Sequence, residues 1–199
     1  MKSKKTAIVL CAAMVLLLAG AALLYNSIGM ELKPDQLSAE QEAAKPQAGS
    51  DTAEETKPER IKAPDFTVYT IEGDAVHLSD FAGKPVVVNF WASWCGPCRM
   101  EMDDFQVKYE QLGDRVQFLM VNMTDGSRET KETASAFVKE QGYTFPVFYD
   151  TDADAAMTYG VYSLPSTYFI DSEGYGAAQA KGAIDANTLQ RGIDMILVQ

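Results

Sequence analysis

The sequence is short of the residues that build most catalytic and metal centres. It has one histidine, His77, in 199 residues. That leaves no set of imidazole ligands for a metal and makes a Cys–His nucleophilic pair a poor reading. Its three cysteines, Cys11, Cys95 and Cys98, are too few for a disulfide scaffold. Basic residues number 17 against 28 acidic, for a formal net charge of −11, so no nucleic-acid partner is expected. Apolar side chain is what the chain has in quantity. At 47% it can fill the core of one domain of ordinary size, with residues left over.

The surplus lies at the N-terminus. A basic end at residues 1–5 precedes an unbroken apolar run from Thr6 to Tyr25. Roughly twenty residues at about 1.5 Å each span about 30 Å, the thickness of a bilayer core. The run is expected to be a transmembrane anchor, with the basic end cytoplasmic and the remainder exported. A cleaved signal peptide competes, because Ala19-Gly20-Ala21 resembles a cleavage site. Leu23, Leu24 and Tyr25 continue the run past that site, which favours the anchor. Cys11 then reads as a small apolar residue of the membrane helix. Residues 26–60 are rich in Glu, Lys, Ala, Gln and Pro, and are read as a flexible acidic linker.

A folded domain is expected over 61–199. Phe66–Thr70 alternates as a strand, Glu72-Gly73-Asp74 turns, and Ala75–Leu78 returns. His77 is read as an exposed or half-buried strand residue. Val86–Trp91 is a continuous apolar run, as in a central parallel strand buried on both faces. A helix is predicted over Cys98–Leu112 with Met102, Phe105, Tyr109 and Leu112 inward, and Gly113 ending it. A buried strand over Val116–Asn122 follows, then a polar helix over Arg128–Gln141. Val147–Tyr149 reads as a short strand and Asp152–Tyr159 as a short helix. Within Val161–Ile170, Pro165 stands directly before a strand-forming run, where it suits a strand entrance or a cis turn, and Asp171–Gly174 is a hairpin turn into Tyr175–Lys181. Asp185 caps a terminal amphipathic helix reaching Val198, with Leu189, Ile193, Ile196 and Leu197 inward. The order implies an α/β fold with a mixed central β-sheet flanked by helices.

Between the central strand and the first long helix stands Trp94-Cys95-Gly96-Pro97-Cys98. Two cysteines at this spacing can close a small disulfide ring or open to a dithiol, and zinc sites use the same spacing. No further ligands accompany the pair, which argues against zinc. Phe90-Trp91-Ala92-Ser93-Trp94-Cys95-Gly96-Pro97-Cys98 resembles the active-site segment of thioredoxins almost letter for letter. Ala63-Pro64-Asp65-Phe66, Leu78-Ser79-Asp80-Phe81-Ala82-Gly83-Lys84 and Leu164-Pro165-Ser166-Thr167-Tyr168-Phe169-Ile170-Asp171 look like the TlpA/ResA-type branch. That resemblance implies a thioredoxin fold with an N-terminal β-hairpin extension and a helical insertion near Arg128–Gln141. It implies a membrane-anchored, extracytoplasmic thiol–disulfide oxidoreductase of bacterial type. It further implies a cis Pro165 beside the disulfide, with the backbone of Leu164 open to a client. Thioredoxins of the cytoplasm have a buried Asp where this chain has Asn89. ResA-like proteins also have Asn there, and a Glu three residues after the second Cys, here Glu101. Many relatives carry a Pro two residues further on, where this chain has Asp103.

Helix N-termini lower a thiol's pKa, so Cys95, at the exposed end, is the expected nucleophile. Cys98, one turn in, is the expected resolving thiol, and the two form the redox disulfide. Gly96 lets a client chain approach, and Pro97 fits the first helical turn. Trp94 offers a flat apolar surface beside the sulfur, so Trp94, Gly96, Pro97, Leu164 and Pro165 are the expected substrate-binding residues. Glu101 is either a buried proton relay for Cys98 or an exposed first-turn acid. No cofactor and no metal are expected. Gly-Pro between the cysteines is the pairing of reducing thioredoxins, which favours a reductase over a disulfide-forming oxidase. The family implies clients such as apocytochrome c, a methionine sulfoxide reductase or another exported protein. It also implies a CcdA/DsbD-like membrane thiol transporter as electron donor. A copper chaperone using the cysteines and His77 is a weaker alternative. A peroxidase would need a Thr-x-x-Cys setting, which is absent.

Overall fold

The structure is a computed structural model and describes residues 60–197. The expected anchor at 6–25 and nearly all of the expected linker lie outside the described residues. Among the described residues no helix is long and apolar enough to cross a membrane.

Seven strands form one mixed sheet. In chain order the elements are β1 (Thr67–Tyr69), β2 (Ala75–His77), a 3-10 turn (Leu78–Phe81), β3 (Val86–Trp91), α1 (Gly96–Leu112), β4 (Gln117–Asn122), α2 (Lys131–Gln141), β5 (Val147–Tyr149), α3 (Asp154–Thr158), β6 (Ser166–Ile170), β7 (Gly176–Lys181) and α4 (Ala186–Leu197). The strand order is β2-β1-β5-β4-β3-β6-β7. β3 pairs parallel with β4 and antiparallel with β6, so it is central, and all six of its residues are buried. β1 and β2 are the N-terminal hairpin, joined to the main sheet by Tyr69 opposite Tyr149 of β5.

Side chains along a strand alternate between faces, so β3 feeds two cores. Val87 and Trp91 pack with Met102 and Phe105 of α1, Phe137 of α2, and Leu189, Ile193 and Ile196 of α4. Val86, Val88 and Phe90 pack on the other side with Phe66, Leu78, Leu119, Val121, Phe148 and Tyr168. Asn89 shares the face of Val87 and Trp91, and therefore points toward α1.

Helix ends depart from the expected bounds, each for a local reason. α1 begins at Gly96 rather than Cys98, because Cys95 itself is the N-cap and Pro97 occupies the first turn. α2 begins at Lys131 rather than Arg128. Thr130 is its extended N-cap, accepting from the Thr133 N–H at 3.2 Å, and residues before it belong to a turn. α3 begins at Asp154 rather than Asp152, because Ala153 is left-handed at φ 57°. The Asp150 carboxylate accepts the N–H groups of Ala155 and Ala156 at 3.2 and 2.8 Å. β6 begins at Ser166, directly after a cis Leu164–Pro165 bond, in keeping with a proline at the strand entrance. Asp185 caps α4, accepting the Thr188 N–H at 2.8 Å.

Arg60, the last residue of the expected linker, packs against the folded domain. Its guanidinium pairs with Asp171 and Glu173 on the turn between β6 and β7, and lies 4.2 Å over the Tyr175 ring. Ala63 N–H donates to Gly174 O and Gly176 N–H to Ile61 O, both at 3.0 Å.

Candidate active site

β3 ends at Trp91, and a tight turn carries the chain into α1, with the Cys95 N–H donating to Ala92 O at 3.1 Å. Cys95 and Cys98 are joined as a disulfide, with Cα atoms 5.3 Å apart. The Cys98 N–H donates to Cys95 Sγ at 3.2 Å. The first backbone N–H groups of a helix have no partner within it, and here one of them points at the sulfur. Cys95 is 4% exposed and Cys98 fully covered. The expected order of access therefore holds, but Cys95 is far less open than its place at a helix end suggested. As N-cap it folds back over the helix, bonded to Cys98 Sγ and hydrogen-bonded to Cys98 N–H, instead of projecting. Its neighbours Trp94, Gly96 and Pro97 are exposed, and Trp94 is 43% so. Leu164 is half-buried and packs against both cores, and Pro165 is buried.

Glu101 is 1% exposed, which removes the reading of an exposed first-turn acid. Its Oε1 accepts from Asn89 Nδ2 at 2.8 Å and its Oε2 from the Ile184 N–H at 2.8 Å. Asn89 also donates to Thr167 Oγ1 at 3.1 Å, across its own strand pair. Burial raises the carboxyl from 4.5 to about 7, against the opposing pull of the Ile184 and Asn89 hydrogen bonds. It lies three positions after Cys98, so the two side chains share a helix face.

A further group of residues is not among those the sequence singled out. Glu129, inside the stretch expected to be helical, is fully covered and bonded to Ser93 and Asn122. Its neighbour Arg128 lies 3.8 Å over the Trp94 ring. Only the Asp-Gly at 125–126, a turn signal inside a polar stretch, marked this segment as something other than helix.

His77 stands on β2, four strands from β3, which is about 19 Å at about 4.8 Å per strand. Its ring pairs with Thr67 Oγ1 at 3.3 Å. The copper reading thereby loses its third ligand.

A cysteine pair that caps a helix leaving the central strand of a mixed sheet, with a cis proline opening the neighbouring strand, defines a thioredoxin-fold thiol–disulfide oxidoreductase. The chain belongs to the AhpC/TSA family, whose model matches residues 60–175. It is 33% identical over 134 residues to the thioredoxin-like protein YneN of Bacillus subtilis, covering 67% of this chain and 78% of that one. It is 36% identical over 134 residues to the thiol-disulfide oxidoreductase ResA of Bacillus thuringiensis, covering 64% of this chain and 74% of that one. Among solved structures it is similar to a DsbF homologue from Corynebacterium diphtheriae, at 31% identity and TM-score 0.61. That match covers 74% of this chain and 99% of that one.

Proposed function

We propose that the chain is a reductase of protein disulfides working outside the cytoplasm, held to the membrane by residues 6–25. The observation that carries the exchange chemistry is the Cys95 sulfur at the N-terminus of α1, within reach of the Cys98 N–H. In the dithiol form that N–H and the helix dipole favour the Cys95 thiolate, the species that attacks disulfides. Cys95 Sγ attacks one sulfur of a client disulfide. The client's other sulfur leaves as a thiolate and takes up a proton. Cys98 then gives up its proton and attacks Cys95 Sγ. The second client sulfur departs, and Cys95 and Cys98 are left as a disulfide.

Glu101, with a pKa near 7 and on the same helix face as Cys98, is suited to take that proton. Trp94, Gly96 and Pro97 on one side, and Leu164 and Pro165 on the other, frame the approach to the sulfurs. Gly-Pro between the cysteines supports the reducing direction. A reductase in that compartment needs electrons brought across the membrane, which a CcdA/DsbD-like thiol transporter would deliver. Its clients would be exported proteins with disulfides, such as apocytochrome c or a methionine sulfoxide reductase.

Trapping tests the roles. Cys98→Ser should accumulate clients as mixed disulfides on Cys95, while Cys95→Ser should hold none, as read by non-reducing electrophoresis and mass spectrometry. Equal trapping by both variants would sink the assignment. A strongly oxidising reduction potential would reverse the direction.

A further inference from the structure

One buried acid takes no part in the exchange set out above. Glu129 lies on the turn between β4 and α2 and is fully covered. A carboxylate is costly to bury unless donors surround it. Here Oε1 accepts the Ser93 N–H at 2.8 Å and Asn122 Nδ2 at 2.6 Å, and Oε2 accepts the Ser93 hydroxyl at 2.7 Å. The turn that carries it is itself built tightly. Asp125 Oδ1 accepts the Ser127 and Glu129 N–H groups at 2.7 and 2.9 Å, and the Asp125 and Gly126 N–H groups donate back to Glu129 O at 3.0 Å. The residue just before it, Arg128, covers the Trp94 ring at 3.8 Å. Two consecutive residues, Ser93 and Trp94, are thus held from the same turn, and Cys95 follows them directly.

We propose that this turn is a clamp that presets Cys95 in the dithiol form, with Glu129 as a positioning residue for closure of the Cys95–Cys98 disulfide. The inference rests on the dithiol/disulfide reading of that pair. In the disulfide form a covalent ring already ties Cys95 to α1. In the dithiol form that covalent tie is gone, and apart from the Cys98 N–H at its sulfur Cys95 is held by the chain on either side. A hold on Ser93 and Trp94 therefore restricts the open form far more than the closed one. A restricted dithiol loses less freedom on closing, which raises the effective concentration of one thiol at the other. The disulfide becomes easier to form, and the dithiol a stronger reductant.

The test is a redox equilibrium with glutathione on the full chain, read by thiol trapping and mass shift. Protein disulfide plus two glutathione thiols gives protein dithiol plus glutathione disulfide, with two electrons and two protons transferred. Glu129→Ala should shift this equilibrium toward the dithiol by about tenfold, equivalent to about 30 mV, the scale of freeing one residue's backbone. Glu129→Gln, which keeps one acceptor oxygen, should fall between Glu129→Ala and the parent. Ser93→Ala and Arg128→Ala should move it in the same direction by less. If Glu129→Ala melts earlier but its equilibrium constant stays within twofold of the parent, Glu129 is merely structural and the inference is overturned. If Glu129→Ala does not fold, Ser93→Ala and Arg128→Ala decide the matter, and no shift in either overturns it. A failure of the underlying reading looks different, because the parent itself would then not exchange with glutathione at all.

Discussion

Glu101 ties the pH of the surroundings to the stability of the site. Its carboxyl is raised from 4.5 to about 7, chiefly by burial. Between those values the folded protein holds a proton that the unfolded chain has lost. Stability contributed by this group is therefore full below about pH 4.5 and declines as pH rises toward 7. At about 1.36 kcal/mol per unit, the loss is about 3 kcal/mol. Urea unfolding across pH 4.5–8 should show that decline in the parent, and Glu101→Gln should lack it. An equal slope in both would place the titration elsewhere. The sequence showed Glu101 at the right spacing from Cys98 but left it between a buried and an exposed role. One of the donors that satisfies it in the interior is the Ile184 N–H, 83 positions along the chain, and nothing near Glu101 announces that partner. Glu129 was less legible still. Its donors come from Ser93 and Asn122, at the ends of two different strands, and a polar run gives no warning of a buried acid.

At the scale of the element, apolar spacing was a sound guide to which segments are helix or strand and which side faces inward. Met102 and Phe105 of α1, and Leu189, Ile193 and Ile196 of α4, are buried as the spacing predicts. Starts were less legible, because they are set by caps and single backbone angles: Cys95 for α1, Thr130 for α2, left-handed Ala153 for α3. α4 also carries a glycine in mid-helix, where alanine is favoured by about 1 kcal/mol on propensity alone. Packing reverses that preference at Gly192. A Cβ there would come within 2.3 Å of the Phe169 ring on β6, and Phe169 is fully buried with nowhere to move. Gly192→Ala should therefore destabilise by about 1–3 kcal/mol in chemical denaturation, not stabilise. A gain in stability would show that α4 can shift on the sheet.

For the molecule as a whole, the alternation of strands and helices was enough to give the class of fold. The order of strands was not, since the β1–β2 hairpin reaches the sheet through Tyr69 and Tyr149, 80 residues apart. Nor did the acidic stretch ahead of the domain show that Arg60 belongs to it. Arg60→Ala should free the segment at 60–63, with faster hydrogen exchange at the Ala63 and Gly176 amides and an unchanged glutathione equilibrium. Unaltered exchange at both amides would mean that the backbone pairing alone holds the segment. The turn that Arg60 grips joins β6 to β7, and Ile170 at its edge pairs with Val86, the first residue of β3. The cysteines follow the other end of β3, five residues and about 17 Å further along the strand. Arg60 and the turn it grips thus stand at one end of β3, and the sulfurs at the other. A substitution at Arg60 or in that turn is therefore made about 17 Å from the strand end that carries the sulfurs, and leaves the doorway to Cys95 as wide as before.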